Sequence, residues 1–254
     1  MRVGFRITRS DQRIAKNLFI QCIACAIGFV GALLISVGTH RLLADAASVY
    51  GDSTVYKTYE TLDRFTGMGA YKAITLGMFF MVIAAIARVI GMVQTRKEGK
   101  AFLFALEMAV ASAVLELAFL VTDKTITLVK YPTGIVIAMT VLVTEVFACI
   151  IPAILLIRRM KERENTEETI GIATRATFGF VALTIAGIVL GLMYVGDVLG
   201  TQRDWSVSTQ VMNERSLAIV KNLQDQLMYL VLVDFLRQCA WTGFCYVTYK
   251  EFHW

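Results

Sequence analysis

Apolar residues in this chain come in long blocks, and the polar and charged residues gather between them. Six blocks, residues 18–38, 70–93, 101–121, 133–157, 176–195 and 227–248, reach the length a helix needs to cross a bilayer, about 20 residues for a hydrocarbon core of about 30 Å. The alternation and frequent turns of a transmembrane β-barrel do not occur, and Pro132 and Pro152 are the only prolines, so each block is predicted as a long helix. The expected fold class is all-α: a polytopic integral membrane protein with six transmembrane helices, residues 1–254 forming one membrane domain.

The segments between the blocks alternate in character. Those after the second and fourth blocks are short and basic, and Asn165 with Glu168 three residues later has the form of a capping box starting the fifth helix. Those after the first and fifth are longer and carry a helical pattern of their own. Val207, Val211, Leu217, Val220 and Leu223 recur near helical spacing, with no Gly or Pro before the last block. One helix from about Ser208 to Tyr249 is therefore predicted, about 60 Å long at 1.5 Å per residue. Leu42, Leu43, Val49, Tyr56, Tyr59 and Leu62 of the first connection are its expected packing partner, which together predicts a small helical extension beyond the membrane.

Lys and Arg orient the bundle. Arg2, Arg6, Arg9, Arg13 and Lys16 precede the first block, Arg96, Lys97 and Lys100 follow the second, and Arg158, Arg159, Lys161, Arg163 and Arg175 surround the fourth connection. The opposite connections are longer and hold fewer, so the positive-inside rule predicts a multi-pass protein of the inner or plasma membrane with both termini cytoplasmic and the extension outside. Composition agrees: 57% of residues are apolar, 18% are charged and the mean hydropathy is +0.63, far from a soluble domain. The formal charge of +5 is assigned to topology and to anionic headgroups, with the lipid bilayer and not nucleic acid as partner.

The first block follows a basic start and precedes Ala44-Asp45-Ala46, which resembles a signal-peptidase site. Its 21 residues from Leu18 to Gly38 exceed the about 7 to 15 of a signal h-region, so a retained helix is expected. Cys22 and Cys25 form a C-x-x-C inside this helix and, like Cys149, Cys239 and Cys245, read as small apolar residues, with no disulfide framework implied. Gly187 and Gly191 form a G-x-x-x-G, Gly28 and Gly31 notch the first helix, and Ala105, Ala109 and Ala113 make a small stripe on the third. These read as helix-packing positions within one bundle, with an intersubunit contact as the alternative.

Ionisable residues inside spans are costly and by default mark functional sites. Six occur: Arg88, Glu107, Glu116, Glu145, Asp234 and Arg237. Arg88 and Glu107 each lie about 9 Å from the same membrane face at 1.5 Å per residue, on helices joined by a short turn, which predicts a structural Arg88–Glu107 ion pair. Counted from the other face, Glu116, Asp234, Arg237 and Glu145 lie about 8, 10, 15 and 18 Å deep. They form the expected intramembrane charge cluster, three carboxylates around one guanidinium. Arg237 keeps its charge and needs Asp234 or Glu145; a carboxylate left over is either protonated or beside a cation.

That surplus suggests a proton or cation site, and hence a transport or channel-type membrane subunit. Pro152, seven residues after Glu145, frees the carbonyl of Ala148 and permits a kink in the same helix. The alternative is a non-transporting assembly subunit of a membrane machine such as a secretion complex, with the charges specifying helix pairing. In either case a homo-oligomer or further membrane subunits are the expected partners. The two histidines, His40 and His253, fall at opposite membrane faces, so no catalytic or metal site is expected; no nucleotide-binding or hydrolase motif occurs, and no cofactor is named by the sequence.

Overall fold

The computed structural model describes residues 8–50, 70–121, 133–163, 167–203 and 209–253. Six α-helices account for nearly all of them: α1 (Arg9–Tyr50), α2 (Ala70–Thr95), α3 (Lys100–Val121), α4 (Thr133–Glu162), α5 (Glu167–Arg203) and α6 (Thr209–His253). Each contains a stretch long and apolar enough to cross a membrane. The protein is an all-α, six-helix, multi-pass membrane protein.

Helix ends follow local chemistry. Thr8 caps α1: its Oγ1 accepts from the Asp11 amide at 3.2 Å, while the Asp11 carboxylate accepts from the Thr8 amide at 2.9 Å. This reciprocal box satisfies two amides that a helix start leaves open. Between α2 and α3 the chain makes one turn of 3-10 helix, Arg96–Glu98, and reverses at Gly99, whose φ of 136° favours a residue without a Cβ. The Gly99 carbonyl then receives the amides of Phe102 and Leu103. Helix α4 runs through Pro152.

The predicted long last helix is present as α6, 45 residues from Thr209, and α1 extends through Ala44-Asp45-Ala46 to Tyr50. Tyr56, Tyr59, Leu62, Asn165 and Val207, and the side chains of 39–50 and 209–224, lie outside the described residues. The proposed capping box and the packing within the helical extension fall there.

Each helix packs on its neighbours in sequence, and α6 closes on α1. The result is a ring. Phe29 and Phe235 hold the closing seam, ring centroids 4.6 Å apart. Its outer surface carries large apolar side chains, among them Phe19, Leu33, Phe79, Val114, Phe178 and Leu192, each half-exposed or more. Its interior buries Asn17, Gln21, Arg88, Glu116, Glu145, Arg237 and Gln238 beside the core of Leu18, Phe102, Leu156, Phe180 and Phe244. Apolar outside and polar inside is the arrangement that lipid as solvent requires.

Small residues set the spacing. A Cβ on Gly31 would lie 2.7 Å from the Gly77 carbonyl oxygen, and one on Gly77 2.6 Å from that of Gly31, so α1 and α2 touch backbone to backbone. A Cβ on Gly191 would meet Met139 of α4 at 2.7 Å, and one on Gly187 would meet Leu142 at 3.3 Å. Ala105 and Ala109 pack with Met92 and Ala148. All these contacts are within the bundle.

Candidate functional site

Alternate helices of the ring each send one charged side chain inward: Arg88 from α2, Glu145 from α4 and Arg237 from α6. They are 8%, 3% and 2% exposed, so they must satisfy one another. Glu145 bridges the two bases, taking Arg88 on one carboxylate oxygen and Arg237 Nη1 on the other at 2.5 Å. Arg237 also donates through Nε and Nη2 to Asp234 Oδ1, at 3.0 and 2.6 Å, one turn back on its own helix. Asp234 Oδ2 accepts from Gln238 Nε2 at 2.8 Å. The Arg237 guanidinium lies 5.5 Å from the Phe180 ring of α5, a cation–π contact that adds a fourth helix. Gly28 leaves room for this arrangement, since a Cβ there would fall 2.9 Å from Gln238 Oε1.

The predicted Arg88–Glu107 pair does not form. Arg88 pairs with Glu145, and Glu107 is exposed on the outer side of α3. Depth alone suggested the pair, and helical phase decides against it. The buried stripe of α3 is Phe102, Ala105, Ala109, Ser112 and Glu116, spaced by three and four; Glu107 is off that stripe and Glu116 is on it. The expected count of three carboxylates to one guanidinium is corrected in the same way. Arg88 joins the cluster, making two bases.

Glu116 is the exception among these groups. It is 7% exposed, and neither carboxylate oxygen has a hydrogen-bond partner among the described residues. Together with Asp234 and Arg237 it stands in the wall of a cavity of about 190 Å³ in the half of the bundle away from the termini. The rest of that wall is almost wholly apolar and comes from all six helices. Four methionines contribute, Met78, Met81, Met139 and Met228, as do Gly187 and Gly191.

Toward the other face a file of uncharged polar groups continues from the cluster. Gln21 Nε2 donates to the Arg88 carbonyl at 3.2 Å and to Asn17 Oδ1 at 3.3 Å. Asn17 Nδ2 reaches Thr95 Oγ1 at 3.4 Å, and Thr95 donates to the Met92 carbonyl at 3.0 Å. At the surface beyond, where α1 begins and α6 ends, Glu98 accepts from Ser10 and from Arg13, at 2.7 Å to Nη2, with Arg159 at 3.8 Å. Asp11 pairs with Arg163, whose guanidinium lies 4.7 Å from the Phe252 ring. Asn17, Gln21, Gln238 and the Asp11 and Glu98 clasps are not among the expected site residues, which are ionisable groups inside the spans. Amide side chains on the buried phase of an apolar helix were the available signal.

Four cysteines, Cys22 and Cys25 of α1, Cys149 of α4 and Cys245 of α6, pack in or against one apolar cluster that also takes in side chains of α3 and α5, and all are free thiols. Among the described residues no three His, Cys, Asp or Glu side chains gather closely enough to ligate a metal ion. No protein-family model, curated protein or solved structure matches this chain.

Proposed function

We propose that the chain is a proton- or cation-linked transport or channel-type subunit of a cell membrane, with Glu116 as the group that exchanges its proton or cation. One observation carries this reading: Glu116 is a deeply buried acid beside a cavity, with no hydrogen-bond or ion-pair partner among the described residues. An ionised residue at the centre of a membrane helix costs about 2.5–3.5 kcal/mol on insertion scales. A structural role repays that cost through a partner, as Glu145 does with two arginines. Glu116 has none. It has two stable conditions, protonated or ionised with a cation beside it, and alternation between them moves a proton against a cation.

The neighbouring groups support this role. With all five ionised, three carboxylates oppose two guanidiniums, leaving one negative charge that a proton or a monovalent cation neutralises. Glu145 fixes both arginines, and Gln238 and Arg237 hold Asp234, so the site's charge is pinned around one free acid. The hydrogen-bonded file through Gln21, Asn17 and Thr95 offers polar groups between the cluster and the far surface.

The test uses purified protein in liposomes carrying an entrapped pH-sensitive dye, with proton entry driven by a potassium diffusion potential. Wild type should acidify the lumen faster than empty liposomes, and Glu116→Gln should return the rate to background while keeping wild-type detergent stability, because no ion pair is lost. Equal rates for the two proteins would remove Glu116 from the mechanism.

A second reading, an assembly subunit of a larger complex, is favoured by Glu107. It is a carboxylate within the span on the exposed side of α3, among exposed Leu103, Phe104 and Val110. A neighbouring subunit's donor is one way to satisfy it. Native mass spectrometry of wild type and Glu107→Leu decides this: loss of a higher-mass species in the variant supports assembly through α3, and a monomer in both opposes it.

A further inference from the structure

From the chemistry of the cavity wall we infer that the cation exchanged at Glu116 is a small organic monocation with an apolar body, such as an aryl or alkyl ammonium, bound within the cavity. The inference rests on the transport reading and names its substrate class. A hydrated metal ion is a poor fit, because an alkali or alkaline-earth ion needs several oxygen ligands. The wall offers few: Glu116, an Asp234 already held by Arg237 and Gln238, and Ser36. A wholly apolar ligand is also a poor fit, because it would leave the surplus negative charge uncompensated in low dielectric. A group with positive charge at one end and hydrocarbon at the other matches both parts of the wall.

Size and plasticity narrow the class. A dry engineered cavity of about 150 Å³ accepts one benzene, so a cavity of about 190 Å³ takes one ring with a small ammonium head. Met78, Met81, Met139 and Met228 surround that volume. Unbranched thioether side chains adapt to different apolar shapes, so selection falls on charge and size more than on outline. Arg237, anchored to Glu145 and Asp234, opposes a dication at the site, while Glu116 and Asp234 oppose an anion.

Benzyltrimethylammonium is the probe, with neopentylbenzene as a comparator of the same outline and no charge. Equilibrium binding of the radiolabelled cation to the purified full chain should be saturable with one site per chain. Glu116→Gln should weaken it by about tenfold or more, and neopentylbenzene should compete at least about tenfold less well. Ala138→Phe, which fills the cavity from α4 and leaves Glu116 in place, should abolish binding with an unchanged gel-filtration profile. Absence of binding to wild type, unchanged binding in either variant, or equal competition by the neutral compound would overturn the proposal; equal competition would identify an apolar or acyl-chain occupant instead. Proton flux is read on the same preparations. Glu116-dependent flux without cation binding overturns the ligand class alone, whereas Glu116-dependent binding without any flux upholds the site and removes the transport reading.

Discussion

Glu145 and Glu116 are both buried glutamates of the interior, yet they should behave oppositely on neutralisation. Glu145→Gln leaves Arg237 with Asp234 as its remaining carboxylate and takes from Arg88 its ion-pair partner. Removing one partner of a buried pair costs about 3–5 kcal/mol, so this variant should show a large fall in denaturant or thermal resistance in detergent. Glu116→Gln, which breaks no bond, should change it little. Arg237→Lys should resemble the Glu145 change, because a single ammonium cannot make the forked contacts to Glu145 and Asp234. Matching stability losses for Glu116→Gln and Glu145→Gln would contradict the assignment of Glu145 as the structural keystone. Depth counting brought Glu145, Arg237 and Asp234 together from sequence because all three lie on buried stripes. It paired Arg88 with Glu107 wrongly because depth fixes height along a helix and says nothing of phase around it.

Among the elements, the crossing of α1 and α2 is the tightest. Gly31 and Gly77 each face the other's carbonyl, and backbone cannot yield as a side chain can. Gly77→Leu should push the helices apart and cost about 1–3 kcal/mol, the range for overpacking, while Gly191→Ala should cost less because its neighbour is the flexible Met139 side chain. Thermal unfolding of both variants measures the difference, and a larger loss at Gly191 would count against backbone contact as the limiting feature. The six helices were legible in number and place, since lipid demands continuous apolar runs, but α1 (Arg9–Tyr50) and α5 (Glu167–Arg203) extend well beyond the apolar blocks 18–38 and 176–195 at both ends. The start of α6 at Thr209 followed from an unbroken helical pattern without Gly or Pro. Gly77 was not singled out, because a lone glycine in an apolar run gives no sign of its partner until the helix pairing is known. The Thr8–Asp11 cap was likewise missed, its signal lying in a basic segment read only for charge.

For the whole molecule, the ring places its two halves in different chemistry, and orientation decides what each half meets. The face where α1 begins and α6 ends carries Arg13, Arg159 and Arg163, all engaged by Glu98 or Asp11. Orientation follows the count of Lys and Arg, and acidic partners scarcely weaken it, so this face should lie on the cytoplasmic side despite its ion pairs. In a background with the five native cysteines replaced by Ala, Ser53→Cys and Ser206→Cys should react with a membrane-impermeant maleimide in intact cells. Glu162→Cys, at the exposed end of α4, should react only after permeabilisation. The cavity, with Glu116 in its wall, occupies the opposite half of the ring. That orientation would then load protons or organic cations from the outer leaflet, with the Glu145 bridge and the Gln21–Asn17–Thr95 file between the site and the cytoplasm. The reverse labelling pattern would turn the cavity inward, and uptake of benzyltrimethylammonium by inverted vesicles rather than right-side-out ones would be the corresponding change in function.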